Sequence, residues 1–153
     1  MLRILGAAIL CVVGGSFAAQ AQSSPEGFWV DEDNSFVVEV SRCGAHLCGE
    51  IVGLQPSDAN KLDVRNSDKT KRARSWCGLD VMGALKQSPG EAGKWEGGWV
   101  YNPKDGKTYS SEMRLEGPNR LKVRGYVLGP MFGKNLNLYR EGSVTYRCPD
   151  RQS

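Results

Sequence analysis

The sequence predicts an all-β fold, a single antiparallel β-barrel of about eight strands, and three observations carry that expectation. Apolar residues alternate with period two along most of the chain, as half-buried strands require. Clusters of Gly, Pro, Asn and Asp break the alternation into short runs suited to hairpins. Gly49, Gly53, Gly97, Gly98 and Gly125 fall inside the runs, where a closing sheet needs bends that side chains would obstruct; this favours a barrel over a sandwich. A barrel of this strand number can hold one small ligand.

The N-terminus precedes any strand. Met1-Leu2-Arg3 supplies a positive start, Ile4 to Ala18 is apolar or small almost throughout, and Ala19-Gln20-Ala21 offers a small-x-small cleavage site. That is the layout of a secretory signal over residues 1–21, leaving residues 22–153 as one barrel domain in the periplasm or secreted medium. The apolar run is shorter than the roughly 20 residues of a spanning helix, so no stable membrane insertion is expected. Bulky Leu10 before Cys11 argues against lipoprotein processing. Loss of residues 1–21 removes one charge, Arg3, and leaves 19 basic against 17 acidic residues, a net of +2. So mild a balance does not by itself argue for nucleic acid or anionic lipid, and no nucleic-acid partner is expected.

Four of the five cysteines remain after Cys11 leaves with the signal, and an even number in an oxidising compartment reads as two disulfides. Three pairings are possible. Cys43 and Cys48 bracket Gly44-Ala45-His46-Leu47 and could staple a hairpin, which leaves Cys77 to join Cys148.

Along the chain, Phe36, Val38 and Val40 share one face and Val37, Glu39 and Ser41 the other, with Leu47 to Leu54 as the returning strand. A long polar stretch, 55–75, follows; loops of that length are commonly functional. Leu79 to Leu85 suits a strand or a helical turn. Trp95, Gly97, Trp99 and Tyr101 then alternate on one expected face, Asn102-Pro103-Lys104-Asp105-Gly106 turns, and Tyr109, Ser111, Met113 and Leu115 return. After Glu116-Gly117-Pro118-Asn119 comes a strand with Leu121, Val123, Gly125 and Val127 on one side. A last strand runs from Lys134 to Arg140.

Gly27-Phe28-Trp29 opens the domain and Arg140 ends the last strand. In lipocalin-like barrels a Gly-x-Trp on the first strand lies under an arginine from the last, so Gly27, Trp29 and Arg140 are assigned a structural role at the barrel base. A wider set of residues resembles the bacterial family DUF2147. It comprises Gly27-x-Trp29, Cys48-Gly49-x-Ile51-Val52, Asp63-x-x-Asn66, Arg72-x-Arg74, Gly78-Leu79, Trp95-x-Gly97-Gly98, Tyr101-Asn102-Pro103-x-x-Gly106-Lys107-x-Tyr109 and Leu121-x-Val123-x-Gly125-Tyr126. The chain departs from the family pattern at Asn102, where Asp is usual, and at Ser67, where Pro is usual. The resemblance implies an exported lipocalin-like barrel and no particular activity.

Two clusters are candidates for ligand binding. Arg72 and Arg74 alternate, so on an extended chain both guanidiniums point one way and can grip a carboxylate or phosphate. The plainer reading is an internal pair of Asp63 with Arg72 or Arg74 that fixes the loop. Trp95, Trp99, Tyr101 and Tyr109 are polar-tipped aromatics of the kind that line small-molecule pockets, though each also suits a core. Together they suggest an anionic head on the arginines and an apolar body on the aromatics of a small amphipathic molecule. The alternative is an envelope interaction module that uses the 55–75 loop. His46, the single histidine, sits in a short turn; no Ser-His-Asp set, zinc spacing or redox Cys-x-x-Cys is present, and neither a cofactor nor an enzyme activity is expected.

Overall fold

Strands form where the alternation lies, and the computed structural model, which describes residues 24–149, closes them into one barrel. The strands are β1 (Gly27–Asp31), β2 (Phe36–Cys43), β3 (His46–Leu54), β4 (Asp80–Gln87), β5 (Lys94–Asn102), β6 (Lys107–Leu115), β7 (Arg120–Tyr126) and β8 (Gly133–Glu141). They pair antiparallel in chain order, and β8 returns to β1. The expected architecture is therefore present, with the ambiguous Leu79 to Leu85 region resolved as strand. The expected signal, 1–21, lies outside the described residues. Up-and-down order places the β2–β3, β4–β5 and β6–β7 turns at one end of the barrel. The loops 32–35, 55–79, 103–106 and 127–132 crown the other.

The first of these ends is closed. Register pairs Trp29 with Arg140 on the inner face, and the guanidinium lies 4.2 Å from the indole centroid. Arg140 also donates from Nε to the Pro118 carbonyl (2.7 Å), from Nη1 to Glu26 (3.0 Å) and from Nη2 to Ser24 (2.6 Å), while Trp29 Nε1 donates to Pro25 (2.8 Å). Above this plug the lumen is filled. Trp29, Val38, Val40, Leu47, Ile51, Met82, Leu85, Met113, Leu121, Val123 and Leu138 are each no more than 3% exposed. A void that admitted water would expose the atoms around it, so this part of the barrel is packed as a core.

Two irregularities shape the rest. In β5 the register jumps between Trp95 and Gly98, and Gly97 takes φ 72°. The left-handed backbone is open to glycine, and the bulge it makes reverses which residues face inward. Trp95 thus sits opposite Met113 on the lumen side, whereas Trp99 and Tyr101 pair with Ser110 and Thr108 on the outer side. The expectation that Trp95, Gly97, Trp99 and Tyr101 share one face is corrected by that bulge.

The second irregularity is a split in the wall. β3 pairs with β4 only as far as Glu50, and its upper half accepts the C-terminal segment instead. Leu54 N–H donates to the Tyr146 carbonyl (3.0 Å) and Cys148 N–H to that of Val52 (2.8 Å). Disulfide Cys77–Cys148 pins the segment there, and Cys43–Cys48 staples the β2–β3 hairpin. Both links are the ones that the hairpin argument favours.

Candidate functional site

The long polar loop is folded back on itself and held against the barrel. Leu62 bridges Ser75, Asp63 N–H donates to the Arg74 carbonyl (2.9 Å), and Trp76 N–H to that of Lys61 (2.9 Å). This pairing turns the Asp63 side chain inward, where it is 0% exposed. Its carboxylate accepts hydrogen bonds from the Tyr101 hydroxyl, from Asn66 Nδ2 (2.7 Å) and from Arg74 Nη2 (2.9 Å). Next to it, the β5–β6 turn packs so closely that a Cβ on Gly106 would collide with the Arg65 carbonyl. Asp105 organises that turn, accepting from the Tyr109 hydroxyl (2.7 Å), the Lys107 N–H (3.0 Å) and Asn102 Nδ2 (3.1 Å).

Electrostatics follow from those bonds. Burial alone would raise the Asp63 carboxyl, but the donors Tyr101, Arg74 and Asn66 outweigh it and hold the group below its ordinary 3.8. The Tyr101 hydroxyl is pushed up to about 12 by burial and by the Asp63 carboxylate that it serves. A charged, fully bonded carboxylate and a phenol that keeps its proton are poor partners for proton transfer at neutral pH. The arrangement is a latch between loop and barrel.

The six residues proposed from the sequence as ligand contacts do not converge. Arg74 faces Asp63, and Arg72 donates from Nε to the Asn66 carbonyl (2.8 Å), so both guanidiniums serve the loop. Tyr101 belongs to the same latch. Trp99 lies over Gly83 on the outer wall, where a Cβ would meet the indole. Trp95 packs in the lumen, and Tyr109, across from Val100, lies on the inner face at the open end. The β5 bulge and the inward turn of Asp63 are the physical reasons. His46 is half-buried opposite Cys43, and among the described residues no three His, Cys, Asp or Glu side chains gather as a metal site.

What the structure does offer is a groove of about 260 Å³ on the outer wall near the open end. Its apolar floor is Val30, Phe36, Val37 and Leu54, and its rim carries Asn34, Gln55, Glu141, Thr145 and Tyr146. Two devices fix its walls. Asp31 caps the β1–β2 turn by accepting from the backbone N–H groups of Ser35 (2.6 Å) and Phe36 (3.2 Å) and from the Ser35 hydroxyl. The C-terminal segment forms the other side, with Val144 close over Gly53. No motif marks these residues; the signal was Cys148, whose link to residue 77 has to draw the segment after β8 across the wall.

No curated protein matches this sequence. Among solved structures, protein HP1028 from the human pathogen Helicobacter pylori, described as belonging to the lipocalin family, superposes with a TM-score of 0.68 at 20% identity, covering 77% of this chain and 83% of its own. At that identity the likeness concerns the fold: the closed barrel is lipocalin-like. The model of a family described as an uncharacterized protein conserved in bacteria, DUF2147, matches residues 27–140. With every strand of the barrel inside or touching that match, the chain belongs to the DUF2147 family.

Proposed function

We propose that the chain is an exported small-ligand-binding protein that carries an amphipathic or hydrophobic molecule on its barrel, with the outer groove near the open end as the seat. The observation that carries the reading is the groove itself, about 260 Å³ with an apolar floor and a polar rim. Small-molecule sites combine those features and usually measure about 300–1,000 Å³, so the ligand is a small one. Its apolar part lies on Val30, Val37 and Leu54, and its polar head meets Gln55, Tyr146 and Glu141, whose carboxylate suits a donor or a cation. The signal-like N-terminus and two disulfides support export to an oxidising compartment.

The test is native mass spectrometry of protein taken from the periplasm, followed by titration of the recovered molecule against the parent and Val37→Trp. The bulky variant should bind at least about tenfold more weakly, because it fills the floor on which one apolar group rests. A parent that retains no small molecule, or a variant that binds as the parent does, removes the reading.

The packed lumen favours a second reading, an envelope interaction module whose 55–75 loop meets a protein or glycan through exposed Arg65 and Lys69. Arg65→Glu with Lys69→Glu abolishes partner capture in that case and leaves groove binding unchanged.

A further inference from the structure

Between β7 and β8 the chain exposes Val127, Leu128, Met131 and Phe132 at 71, 87, 82 and 76%. Single exposed apolar side chains are ordinary, but four large ones within six positions of one projecting loop mark a contact surface. Nor is this a slack loop that happens to point outward. The Arg124 side chain donates to the Pro130 and Met131 carbonyls and to Asn135 Oδ1 (2.7 Å), and Phe132 N–H donates to the Gly129 carbonyl (3.0 Å). The backbone is held by polar bonds while the apolar side chains remain in water.

Cations surround the root of this tip. Lys134, the second residue of β8, stands opposite Gly125, and Lys107 opens β6, three residues before Ser110, the partner of Tyr126 at the end of β7. Lys104 stands in the adjoining turn. All three are exposed, and none forms an ion pair among the described residues. The nearby Asp105 is already engaged by Tyr109 and Asn102.

We propose that the Val127 to Phe132 tip docks the open end of the barrel on an anionic lipid surface. The apolar side chains enter the headgroup boundary and Lys104, Lys107 and Lys134 lie at the phosphates. Charge complementarity selects this occupant: a second copy would bring the same lysines toward these, and a projecting tip presents no concave face to a folded protein. The contact is peripheral, since six loop residues reach the interface and do not cross it.

Flotation of the protein with vesicles of phosphatidylcholine, with and without phosphatidylglycerol, tests the proposal. Binding should require phosphatidylglycerol and weaken as salt rises. The triple variant Leu128→Ser, Met131→Ser, Phe132→Ser should lose about tenfold or more in partitioning, and Lys107→Ala with Lys134→Ala about thirtyfold on the anionic vesicles. These side chains are exposed and Arg124 is untouched, so near-ultraviolet circular dichroism should report an unchanged fold. Three results overturn the proposal: a parent that floats with neither vesicle, a parent that ignores phosphatidylglycerol, or a triple variant that floats as well as the parent. Sedimentation equilibrium supplies a fourth, a parent dimer that the triple variant dissociates, which would assign the tip to a second copy.

Discussion

At the closed end of the barrel one guanidinium, that of Arg140, collects three backbone carbonyls and covers Trp29; at the open end one carboxylate, that of Asp63, collects side chains from a loop and a strand. The first arrangement follows from strand register, because Trp29 and Arg140 face each other wherever β1 and β8 pair. The second depends on a loop folding back upon the sheet. Loss of the first should therefore unfold the barrel, and loss of the second should release only the loop, as regions of few shared apolar contacts do.

The largest expected effect belongs to Trp29→Ala. Truncating a buried tryptophan costs about 3–5 kcal/mol, and the upper figure applies where Arg140 also loses its platform. A urea transition followed by far-ultraviolet circular dichroism should move accordingly. If it moves no further than for Asp63→Ala, the contrast between the ends fails.

Next comes the pair Cys77→Ser, Cys148→Ser, which opens a loop with a sequence separation of 71. Chain entropy assigns that link about 4 kcal/mol, against about 2 for Cys43–Cys48 with its separation of 5. Thermal unfolding of the two double variants ranks them. Equal losses would contradict a ranking set by the length of the closed loop.

The smallest effect sharpens the comparison through pH. Asp63 is depressed in the folded protein, so its contribution is full above the unfolded carboxylate value of about 3.9 and fades as pH falls through the lower folded value. Tyr101 is raised to about 12, so its contribution is complete below its ordinary 10.0 and fades as pH climbs through the folded value. The latch should thus open at both extremes. Resonances of Asn66 and Arg74 should shift at those limits before the barrel amides do, and Asp63→Asn should flatten the acid limb. Simultaneous shifts across the barrel would contradict a local latch.

The strands, their order and the disulfides were legible because each depends on local alternation or on residues of a single chemical kind, and the Trp29–Arg140 contact because the chain resembles lipocalin-like barrels. The candidate site was less so. Alternation extrapolated through Gly97 placed Trp95 and Trp99 together, and one positive-φ glycine was enough to separate them. The doublet Gly97-Gly98 was the available warning, since glycine within a strand often marks a bulge. Nor could spacing tell that Asp63 would be buried: whether a charged loop residue turns inward depends on the hydroxyl of Tyr101, 38 residues away. The groove was invisible for a related reason, as its two walls come from opposite ends of the chain.

That last feature divides the work of building the groove between two parts of the chain. The β1–β8 pairing that closes the barrel leaves the upper half of β3 to a different neighbour, since Leu54 and Val52 bond to Tyr146 and Cys148. The wall is complete only with residues 146–148 in place beside β3, where the Cys77–Cys148 link holds them. The groove is therefore a joint property of two distant segments: the closed barrel supplies its floor, and only the stretch that Cys148 ties down supplies its far wall.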